Sequence, residues 1–229
     1  MTKEYSNTYI VIPAFNEETV IESVVTKLLK FFKNVVVVND GSTDRTKEIL
    51  EKLNITLISH PFNMGPGSAL RTGFNYVKSI SNSHSIVTFD ADGQHSVEDA
   101  VLFAKEINSC KEEIIFGSRF LKHKKNLPFI KIITLKIATI ITNLATKTKL
   151  SDTHNGLKAF KVSLLGKIDL TLDGYGLDTQ IVSEISKKNI SYKEMSTNTI
   201  YTEYSMKKGQ SLMNGLIILE EIFQSKRKK

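Results

Sequence analysis

Strand-like runs rich in valine and isoleucine alternate with longer helical patterns through the first 120 residues of this chain. The alternation predicts strands at 8–12, 35–39, 55–58, 85–89 and 114–117, and helices at 18–32, 43–53, 67–79 and 97–109. Residues 35–38 are four consecutive valines, and such runs are typical of a parallel sheet that is covered by helices on both faces. We therefore predict an α/β fold whose strands are joined by right-handed crossovers.

The second half of the chain contains two amphipathic helical patterns. Apolar residues recur three and four positions apart in residues 128–146 and near the end of the chain: Ile130, Ile133, Ile137, Ile140 and Leu144, then Leu212, Leu216, Leu219 and Phe223. Such stripes either pack into the core or lie in a membrane interface with lysines at the headgroups. Both segments fall short of the roughly 20 apolar residues that cross a bilayer, so we expect no transmembrane helix.

Basic residues are concentrated in two segments. From Arg119 to Lys149 there are eight basic residues and no acid, and residues 226–229 are all basic. Because the net charge of the whole chain is only +7, the remainder is mildly acidic. Concentrated basic segments usually face membrane lipid, nucleic acid or a phosphorylated substrate, and a solvated lysine face is the alternative.

The cysteine content and the first residues predict a cytosolic protein. Cys110 is the only cysteine, which excludes an intrachain disulfide and a cysteine-built zinc site and fits a reducing compartment. The first residues lack the basic and long apolar regions of a signal peptide, so we expect no export.

Acidic and polar loops follow three of the predicted strands. They are Pro-Ala-Phe-Asn-Glu-Glu at 13–18, Asn-Asp-Gly-Ser-Thr-Asp at 39–44 and Asp-Ala-Asp-Gly-Gln-His at 90–95. Because ligands bind where the carboxyl ends of parallel strands meet, we expect these loops to share one site. Asp90 and Asp92 offer two hard oxygen ligands for Mg²⁺ or Mn²⁺, which would also hold substrate phosphates.

Several enzyme classes are disfavoured by missing motifs. The first strand is followed by Pro-Ala-Phe and not by G-x-G-x-x-G, which argues against a dehydrogenase, and no Walker lysine follows the glycines near residue 65. We interpret Gly65-Pro66-Gly67 as a turn that starts a helix. The five histidines lack H-E-x-x-H spacing and no G-x-S-x-G is present, so zinc and serine hydrolases are disfavoured.

Five motifs carry a resemblance to a known family. VIPAFNEE, VVVVNDGSTDRT, NMGPGSALRTGF, VTFDADGQH and FGSRF occur in this order between residues 10 and 120, and DTHNGLKAF and YSMKKGQS extend the likeness more loosely. Together they resemble glycosyltransferase family 2, and within it the polyprenyl-phosphate branch of the dolichyl-phosphate mannose synthase type. The resemblance implies a GT-A fold, which is a Rossmann-like, mostly parallel sheet flanked by helices, with a nucleotide-sugar donor, Mg²⁺ or Mn²⁺, and inversion at the anomeric carbon.

The resemblance also implies roles for individual residues. The donor nucleotide would be bound by Pro13, Phe15, Glu17, Val38, Asp40, Asp90 and Ala91. The metal would be held by Asp90, Asp92 and Gln94, the catalytic residues would be Asp92, Arg119 and Asp178, and the acceptor phosphate would be bound by Arg119, Lys158, Lys207 and Lys208. The chain departs from the family at these three lysines, where relatives often have arginine, and at Gln180, where a glutamate is expected. If the reaction needs a carboxylate base in this segment, Asp178 is the candidate.

The predicted activity is metal-dependent, inverting transfer of a sugar from a nucleotide-sugar to a polyprenyl phosphate. We expect a single GT-A domain over residues 1–229, with residues 1–120 binding the donor and residues 121–229 facing the acceptor and the anionic cytoplasmic surface of the membrane. Two alternatives stay open. One is extension of a glycan hydroxyl in surface-polysaccharide assembly, which needs Asp152 or Asp178 as base. The other is a non-catalytic nucleotide or nucleic-acid binding module; the intact Asp-x-Asp-x-Gln and the absence of a nucleic-acid motif argue against it, and we expect no nucleic-acid partner. A homo-oligomer is compatible with the sequence.

Overall fold

The computed structural model describes residues 5–121 and 129–200, which form a central seven-stranded sheet covered by helices. The strands are β1 (Thr8–Ala14), β2 (Asn34–Asn39), β3 (Thr56–Ser59), β4 (Ser85–Thr88), β5 (Ile114–Ser118), β6 (Lys158–Lys161) and β7 (Tyr192–Ser196). The helices are α1 (Ile21–Leu29), α2 (Thr46–Leu50), α3 (Pro66–Lys78), α4 (Val97–Ser109), α5 (Phe129–Thr146) and α6 (Gly176–Lys187), and a 3-10 helix covers Val162–Gly166.

The sheet is mostly parallel, as predicted. Its strand order is β3-β2-β1-β4-β6-β5-β7; β1 to β4 run parallel to one another, and β5 runs parallel to β7. Strand β6, which the sequence analysis did not predict, lies between β4 and β5 and runs antiparallel to both. A four-residue strand has too few residues to show a period, so its pairing with Ile86 and Val87 on one side and Ile115 on the other could not be found from the pattern.

The sheet buries one apolar core on each face. Ile10, Ile12 and Val37 point into a core that includes residues of α1 and α4, whereas Val11 and Val36 point into a core with α3 and α6. This division follows from the period of two in a strand, because neighbouring residues face opposite sides of the sheet. The valine run is therefore buried on both faces, which is why it shows no alternation with polar residues.

Local sequence signals mark the starts of α3 and α4. The predicted helix at 97–109 is confirmed as α4, whose first turn is capped by Ser96, since its Oγ accepts a hydrogen bond of 3.0 Å from the Asp99 N–H. Helix α3 begins at Pro66 after Gly65, whose φ of 94° is accessible to glycine, so the interpretation of this segment as a helix-start turn is confirmed.

Helix α5 presents its apolar residues to the outside. Ile133, Ile137, Ile140 and Leu144 are exposed by 43%, 51%, 57% and 78%, whereas the threonines Thr139, Thr142 and Thr146 are buried. The core interpretation of this stripe is therefore wrong within the described chain, since the polar face of the helix is the one that packs inward. No helix in residues 5–121 and 129–200 is both long and apolar enough to cross a membrane. The second stripe, residues 212–223, lies outside the described residues.

Candidate active site

The loops that follow β1 and β2 are tied together by hydrogen bonds. The Asn16 N–H donates to the Ser42 hydroxyl at 3.0 Å, and the Glu17 N–H donates to the Thr46 hydroxyl at 2.8 Å. In return, the Asn16 side-chain oxygen accepts from the Thr43 N–H at 2.9 Å. Two of the three acidic loops therefore meet at the carboxyl edge of the sheet, as the sequence predicts. These bonds also explain why α1 and α2 begin three residues later than their patterns predict.

A cleft of about 250 Å³ opens at this edge of the sheet. Its lining comes from β1, from the loop after β4, from the starts of α3 and α6, and from the segment 154–160. Five of the predicted site residues line it: Pro13, Asp90, Asp92, Lys158 and Asp178. Leu70, Phe74 and Ile181 give the cleft an apolar wall, while the charged residues lie among its other lining groups.

The two carboxylates after β4 are held by neighbouring side chains. An Asp90 oxygen lies 2.8 Å from His95 Nε2. Both Asp92 oxygens accept hydrogen bonds from Gln94, one from its backbone N–H at 2.9 Å and one from its side-chain amide at 2.6 Å. The structure thus brings the three predicted metal ligands into one turn, although Gln94 here faces Asp92 through its amide nitrogen.

Electrostatics separate the two carboxyl groups. Burial and the nearby Asp90 carboxylate raise the pKa of Asp92 to about 6. Burial also acts to raise the pKa of Asp90, but His95 and the more distant positive charges of Lys158 and Arg119 outweigh it and keep that pKa below its ordinary value. Because the Asp90 charge raises the proton affinity of Asp92, the pair forms a site that a divalent cation would stabilise.

The donor set fits a cation that is shared with a substrate. Within residues 5–121 and 129–200 there is no group of three or more His, Cys, Asp and Glu side chains suited to hold a metal ion. Mg²⁺ is commonly bound by one or two carboxylates together with substrate phosphates and water, and Asp90 and Asp92 match that pattern. The residues therefore fit a metal that depends on the diphosphate for its remaining ligands.

Gly156 packs directly against Asp90. A Cβ atom at residue 156 would lie 2.1 Å from one Asp90 oxygen and 2.3 Å from the other. No side chain fits at such a distance, so the close approach requires glycine. The loop before β6 is in this way part of the wall that positions the carboxylate.

Arg119 forms a buried ion pair with Asp152. Its Nε and Nη2 donate to the two oxygens of Asp152 at 2.7 and 2.8 Å, and Nη2 also donates to the His154 carbonyl at 2.9 Å. Burial alone would raise the pKa of Asp152, but the Arg119 guanidinium outweighs it and holds that pKa below its usual value. Neither residue lines the cleft, so the geometry favours a supporting role over the predicted contacts of Arg119 with phosphate and of Asp152 with a hydroxyl.

Lys158 and Asp178 form a second ion pair, and this one lies in the cleft. The Lys158 Nζ donates to Asp178 Oδ1 at 2.7 Å and to the Asn155 carbonyl. The lysine side chain is only 3% exposed, whereas 23% of the aspartate side chain is exposed. A buried ammonium with one accessible counter-ion is a site at which an incoming phosphate can compete for the charge.

Asp40 is saturated by hydrogen bonds from the loop after β3. Its carboxylate accepts from the N–H groups of Met64 at 2.9 Å and Gly65 at 2.8 Å, and it lies 2.7 Å from His60 Nδ1. His60 Nε2 in turn lies 2.9 Å from the Thr72 hydroxyl. The carboxylate that was predicted to bind the nucleotide therefore also holds the start of α3 in place.

The remaining predicted residues lie around the cleft but do not line it. Phe15 is 37% exposed, Glu17 and Ala91 are buried, and the Val38 side chain is fully buried within the sheet. Glu17 acts on the cleft through its charge, since it contributes to the raised pKa of Asp92. Lys207 and Lys208 lie outside the described residues.

Three residues at the site were missed by the sequence analysis. His95 and Gly156 both contact Asp90, and His154 lines the cleft. His95 was set aside because it lacks metal-ligand spacing, but its position three residues after Asp92 could have suggested a partner for the carboxylates. Gly156 and His154 belong to the DTHNGLKAF motif, but their place at the site depends on the antiparallel insertion of β6 between β4 and β5, which no local pattern indicates.

Comparison of the sequence with known proteins finds one family. The model for glycosyl transferase family 2 matches residues 9–169. An uncharacterised protein of Methanocaldococcus jannaschii is 36% identical over 223 residues, covering 95% of this chain and 91% of that protein. The UDP-N-acetylglucosamine–dolichyl-phosphate N-acetylglucosaminyltransferase of Methanococcus voltae is 32% identical over 245 residues, covering 96% of each. The resemblance drawn from the motifs is confirmed.

Comparison of the fold with solved structures agrees. The glucosyl-3-phosphoglycerate synthase of Mycobacterium tuberculosis, in a crystal structure with Mn²⁺, UDP and phosphoglyceric acid, matches with a TM-score of 0.73 at 14% identity. The match covers 96% of this chain and 78% of that one. This likeness confirms the predicted GT-A fold.

Proposed function

The chain belongs to glycosyltransferase family 2, and we propose that it transfers a sugar from a nucleotide-sugar to the phosphate of a dolichol- or polyprenol-type lipid. The name of the Methanococcus voltae relative supports both substrates, since it specifies a UDP-sugar donor and a dolichyl-phosphate acceptor. The observation that carries the proposal is the cleft, in which Asp90 and Asp92 meet the buried ammonium of Lys158. Such a cleft offers one end suited to a metal-bound diphosphate and one cation suited to a second phosphate.

The donor would be held at the acidic end of the cleft. A divalent cation bound by Asp90 and Asp92 would neutralise the charge that develops on the departing diphosphate. The Mn²⁺ and UDP in the Mycobacterium tuberculosis structure support this assignment by analogy of fold.

The acceptor phosphate would be held by Lys158. The attacking oxygen of this phosphate is already largely ionised near pH 7, because the second pKa of a phosphate monoester is about 6. The reaction therefore needs no general base. Asp178 would then leave the ammonium as the phosphate binds. A single displacement, in which this oxygen attacks the anomeric carbon from the side opposite the diphosphate, inverts the configuration.

A hydroxyl acceptor is less well supported by the geometry. It would require a carboxylate base, and Asp152 is bound on both oxygens by Arg119 while Asp178 is paired with Lys158. Both oxygens of Asp152 and the Oδ1 of Asp178 are therefore already engaged in ion pairs. We therefore keep the lipid phosphate as the acceptor.

The proposal extends to the membrane. We propose that the exposed apolar face of α5 contacts the cytoplasmic leaflet of the membrane, where the lipid phosphate would be located. Lysines of the basic segment beside this helix would contact anionic headgroups. Residues 1–229 would act as one GT-A domain, with residues 1–120 on the donor side and residues 121–229 toward the acceptor and the membrane.

The proposed function is tested by measuring sugar transfer into butanol-extractable lipid. Purified protein, polyprenyl phosphate and radiolabelled UDP-N-acetylglucosamine, UDP-glucose or GDP-mannose are mixed with Mn²⁺ or Mg²⁺, and EDTA is added in parallel. We expect one donor to label the lipid, EDTA to abolish labelling, and Asp92→Asn to reduce it at least a hundredfold, since the variant loses an anionic ligand. Asp169→Asn is the matched control, because that aspartate side chain is 85% exposed.

Two results would contradict the proposal. Full turnover in EDTA would show that the reaction does not require a divalent cation. Absence of label on polyprenyl phosphate from every donor would exclude this lipid phosphate as the acceptor.

A further inference from the structure

His154 is a cleft residue with an unsatisfied ring nitrogen. It lies in the segment between α5 and β6 and lines the cleft together with Asp90, Lys158 and Asp178. Its Nδ1 lies 2.8 Å from the Thr153 hydroxyl, whereas its Nε2 is buried and has no hydrogen-bond partner among the described residues. Buried polar atoms without a partner are rare in proteins and destabilising, so this nitrogen calls for one.

The imidazole of His154 is neutral at physiological pH. Burial lowers its pKa below the ordinary value of a histidine, and it outweighs the opposite effect of Asp178 and Asp152. The free nitrogen is therefore suited to an uncharged polar group more than to a phosphate, for which Lys158 is already available. A hydroxyl fits either tautomer of the ring, since it donates to a bare nitrogen and accepts from an N–H.

His154 is also close to the proposed diphosphate end of the cleft. Gly156, two residues further along the chain, is in contact with the Asp90 carboxylate. Two residues span at most about 7 Å, so the ring lies within reach of a group attached to a diphosphate at Asp90 and Asp92. In a nucleotide-sugar, that group is the sugar.

We propose that His154 Nε2 binds a hydroxyl of the transferred sugar and so contributes to the choice of donor. The inference rests on the proposed function, because it requires a nucleotide-sugar in this cleft. A polyprenyl phosphate has no alcohol hydroxyl to offer, so the hydroxyl would come from the nucleotide-sugar, and comparison with the free nucleotide distinguishes its sugar from its ribose. Thr153 would fix the ring orientation through Nδ1.

Calorimetry with and without the sugar tests this assignment. Affinities for UDP, UDP-glucose and UDP-N-acetylglucosamine, and for GDP and GDP-mannose, are measured with Mn²⁺ for the wild type, His154→Gln, His154→Phe and the control His84→Gln. His84 is exposed and precedes β4, at the opposite edge of the sheet from the cleft. We expect His154→Phe to bind the preferred nucleotide-sugar about tenfold more weakly, a loss of about 1.4 kcal/mol, and to bind the free nucleotide within twofold of the wild type.

A spectroscopic readout distinguishes binding from a structural role. In ¹⁵N-histidine-labelled protein, the His154 signal is identified by its absence in His154→Gln. We expect the Nε2 resonance to move when the nucleotide-sugar is added and to stay in place when the nucleotide alone is added. A purely structural histidine would respond equally to both.

The outcomes separate the two proposals. If His154→Phe binds the nucleotide-sugar as tightly as the wild type, or loses affinity for nucleotide and nucleotide-sugar alike, the His154 inference is overturned and the proposed function stands. If the wild type binds no nucleotide-sugar, the proposed function fails, and this inference fails with it.

Discussion

At the scale of single residues, the Asp90 carboxylate is fixed by a contact that leaves no room for a methyl group. We predict that Gly156→Ala lowers sugar transfer at least tenfold, because the new Cβ would lie within 2.4 Å of the carboxyl carbon and both oxygens of Asp90. Either the carboxylate or the loop must move, and a shift of about 1 Å in a metal ligand can cost as much as a hundredfold in rate. Steady-state transfer at saturating Mn²⁺ measures the effect.

Gly166→Ala is the matched control for this change. A Cβ at residue 166 would meet no described atom within 4 Å, so the same substitution there should leave transfer and stability nearly unchanged. If both alanine variants retain full activity, the contact between Gly156 and Asp90 has no bearing on catalysis. A loss that excess Mn²⁺ partly restores would show that the defect lies in metal binding.

The Lys158–Asp178 pair gives a second prediction, which separates a phosphate site from a catalytic base. We expect Lys158→Gln to raise the KM for polyprenyl phosphate by roughly tenfold to a hundredfold, since a hydrogen bond to a charged group contributes about 1.5 to 3 kcal/mol. We expect Asp178→Asn to change kcat by less than tenfold and to lower that KM, because the lysine loses its internal counter-ion.

Initial rates over a range of acceptor concentrations check both variants. A collapse of kcat in Asp178→Asn, with KM unchanged, would identify Asp178 as a general base and favour a hydroxyl acceptor. As an internal control, the affinity for UDP is measured, and it should be the same in both variants as in the wild type.

Several residue positions could be predicted from the sequence, but their partners could not. The position of Asp40 at the end of β2 follows from the valine run, yet its hydrogen bonds come from a loop 24 and 25 residues further along the chain. The same holds for Arg119, whose guanidinium is bound by an aspartate 33 residues away. Local patterns carry no information about contacts at such separations, so the sequence could identify a charged residue without showing whether its charge was already paired.

At the scale of secondary structure, the bond between Arg119 and Asp152 fastens the end of β5 to the loop before β6. We predict that Asp152→Asn lowers the free energy of unfolding by about 3 kcal/mol at pH 7, because it leaves a buried guanidinium without its counter-charge. Urea unfolding followed by circular dichroism measures this difference. Glu51→Gln is the control, since that side chain is 55% exposed and its ion pair contributes little.

The same pair predicts how stability depends on pH. The Arg119 guanidinium keeps the pKa of Asp152 below its unfolded value of about 3.9. The ion pair therefore makes its full contribution to the free energy of unfolding above that pH. As the pH falls below about 4 and passes the pKa of the folded state, Asp152 takes up a proton and the contribution is lost. The difference in free energy of unfolding between the wild type and Asp152→Asn should therefore decrease only below about pH 4. A gap that is constant from pH 7 to pH 3 would contradict this account.

The elements themselves were predictable to different degrees. Helix α4 was found to the residue because a serine cap and a regular apolar stripe mark it. Strands β6 and β7 and helix α6 were missed. Lys158–Lys161 is too short to show a period, and α6 begins at Gly176, which is a weak helix former. The first-half units carry their own signals in the sequence, whereas the position of β6 depends on its pairing with β4 and β5.

At the scale of the whole molecule, the distribution of polarity separates a substrate edge from an apolar outer face. The acidic loops and the cleft lie at the carboxyl edge of the sheet, while α5 turns its isoleucines outward and binds the protein through polar groups. Asn143 donates to the Leu150 carbonyl at 2.7 Å, and the Thr153 hydroxyl donates to Thr139 at 3.4 Å. The same segment then continues to Asp152, His154 and Gly156, so the helix proposed to contact the membrane is attached to the loop that supports the site.

This arrangement leads to a prediction about membrane binding. We expect the protein to sediment with vesicles that contain anionic lipid, to be released in part by high salt, and to retain a fraction that salt does not remove. The salt-sensitive part comes from lysines near the surface, each contributing about 1 kcal/mol, and the resistant part from the apolar residues of α5. Replacing Ile137 and Ile140 together by serine should remove the resistant part. These side chains are 51% and 57% exposed, so inserting them gains about 2 kcal/mol in total, or roughly thirtyfold in affinity.

Leu102→Ser is the matched control, because that leucine is 53% exposed but lies on α4. It should leave vesicle binding unchanged, and neither variant should lower the unfolding midpoint, since none of the replaced side chains is buried. Equal loss of binding in both variants would mean that general hydrophobicity drives association. Absence of binding to anionic vesicles at any salt concentration would separate α5 from the membrane and would shift the balance toward a soluble acceptor, because a polyprenyl phosphate is reached only at the bilayer surface.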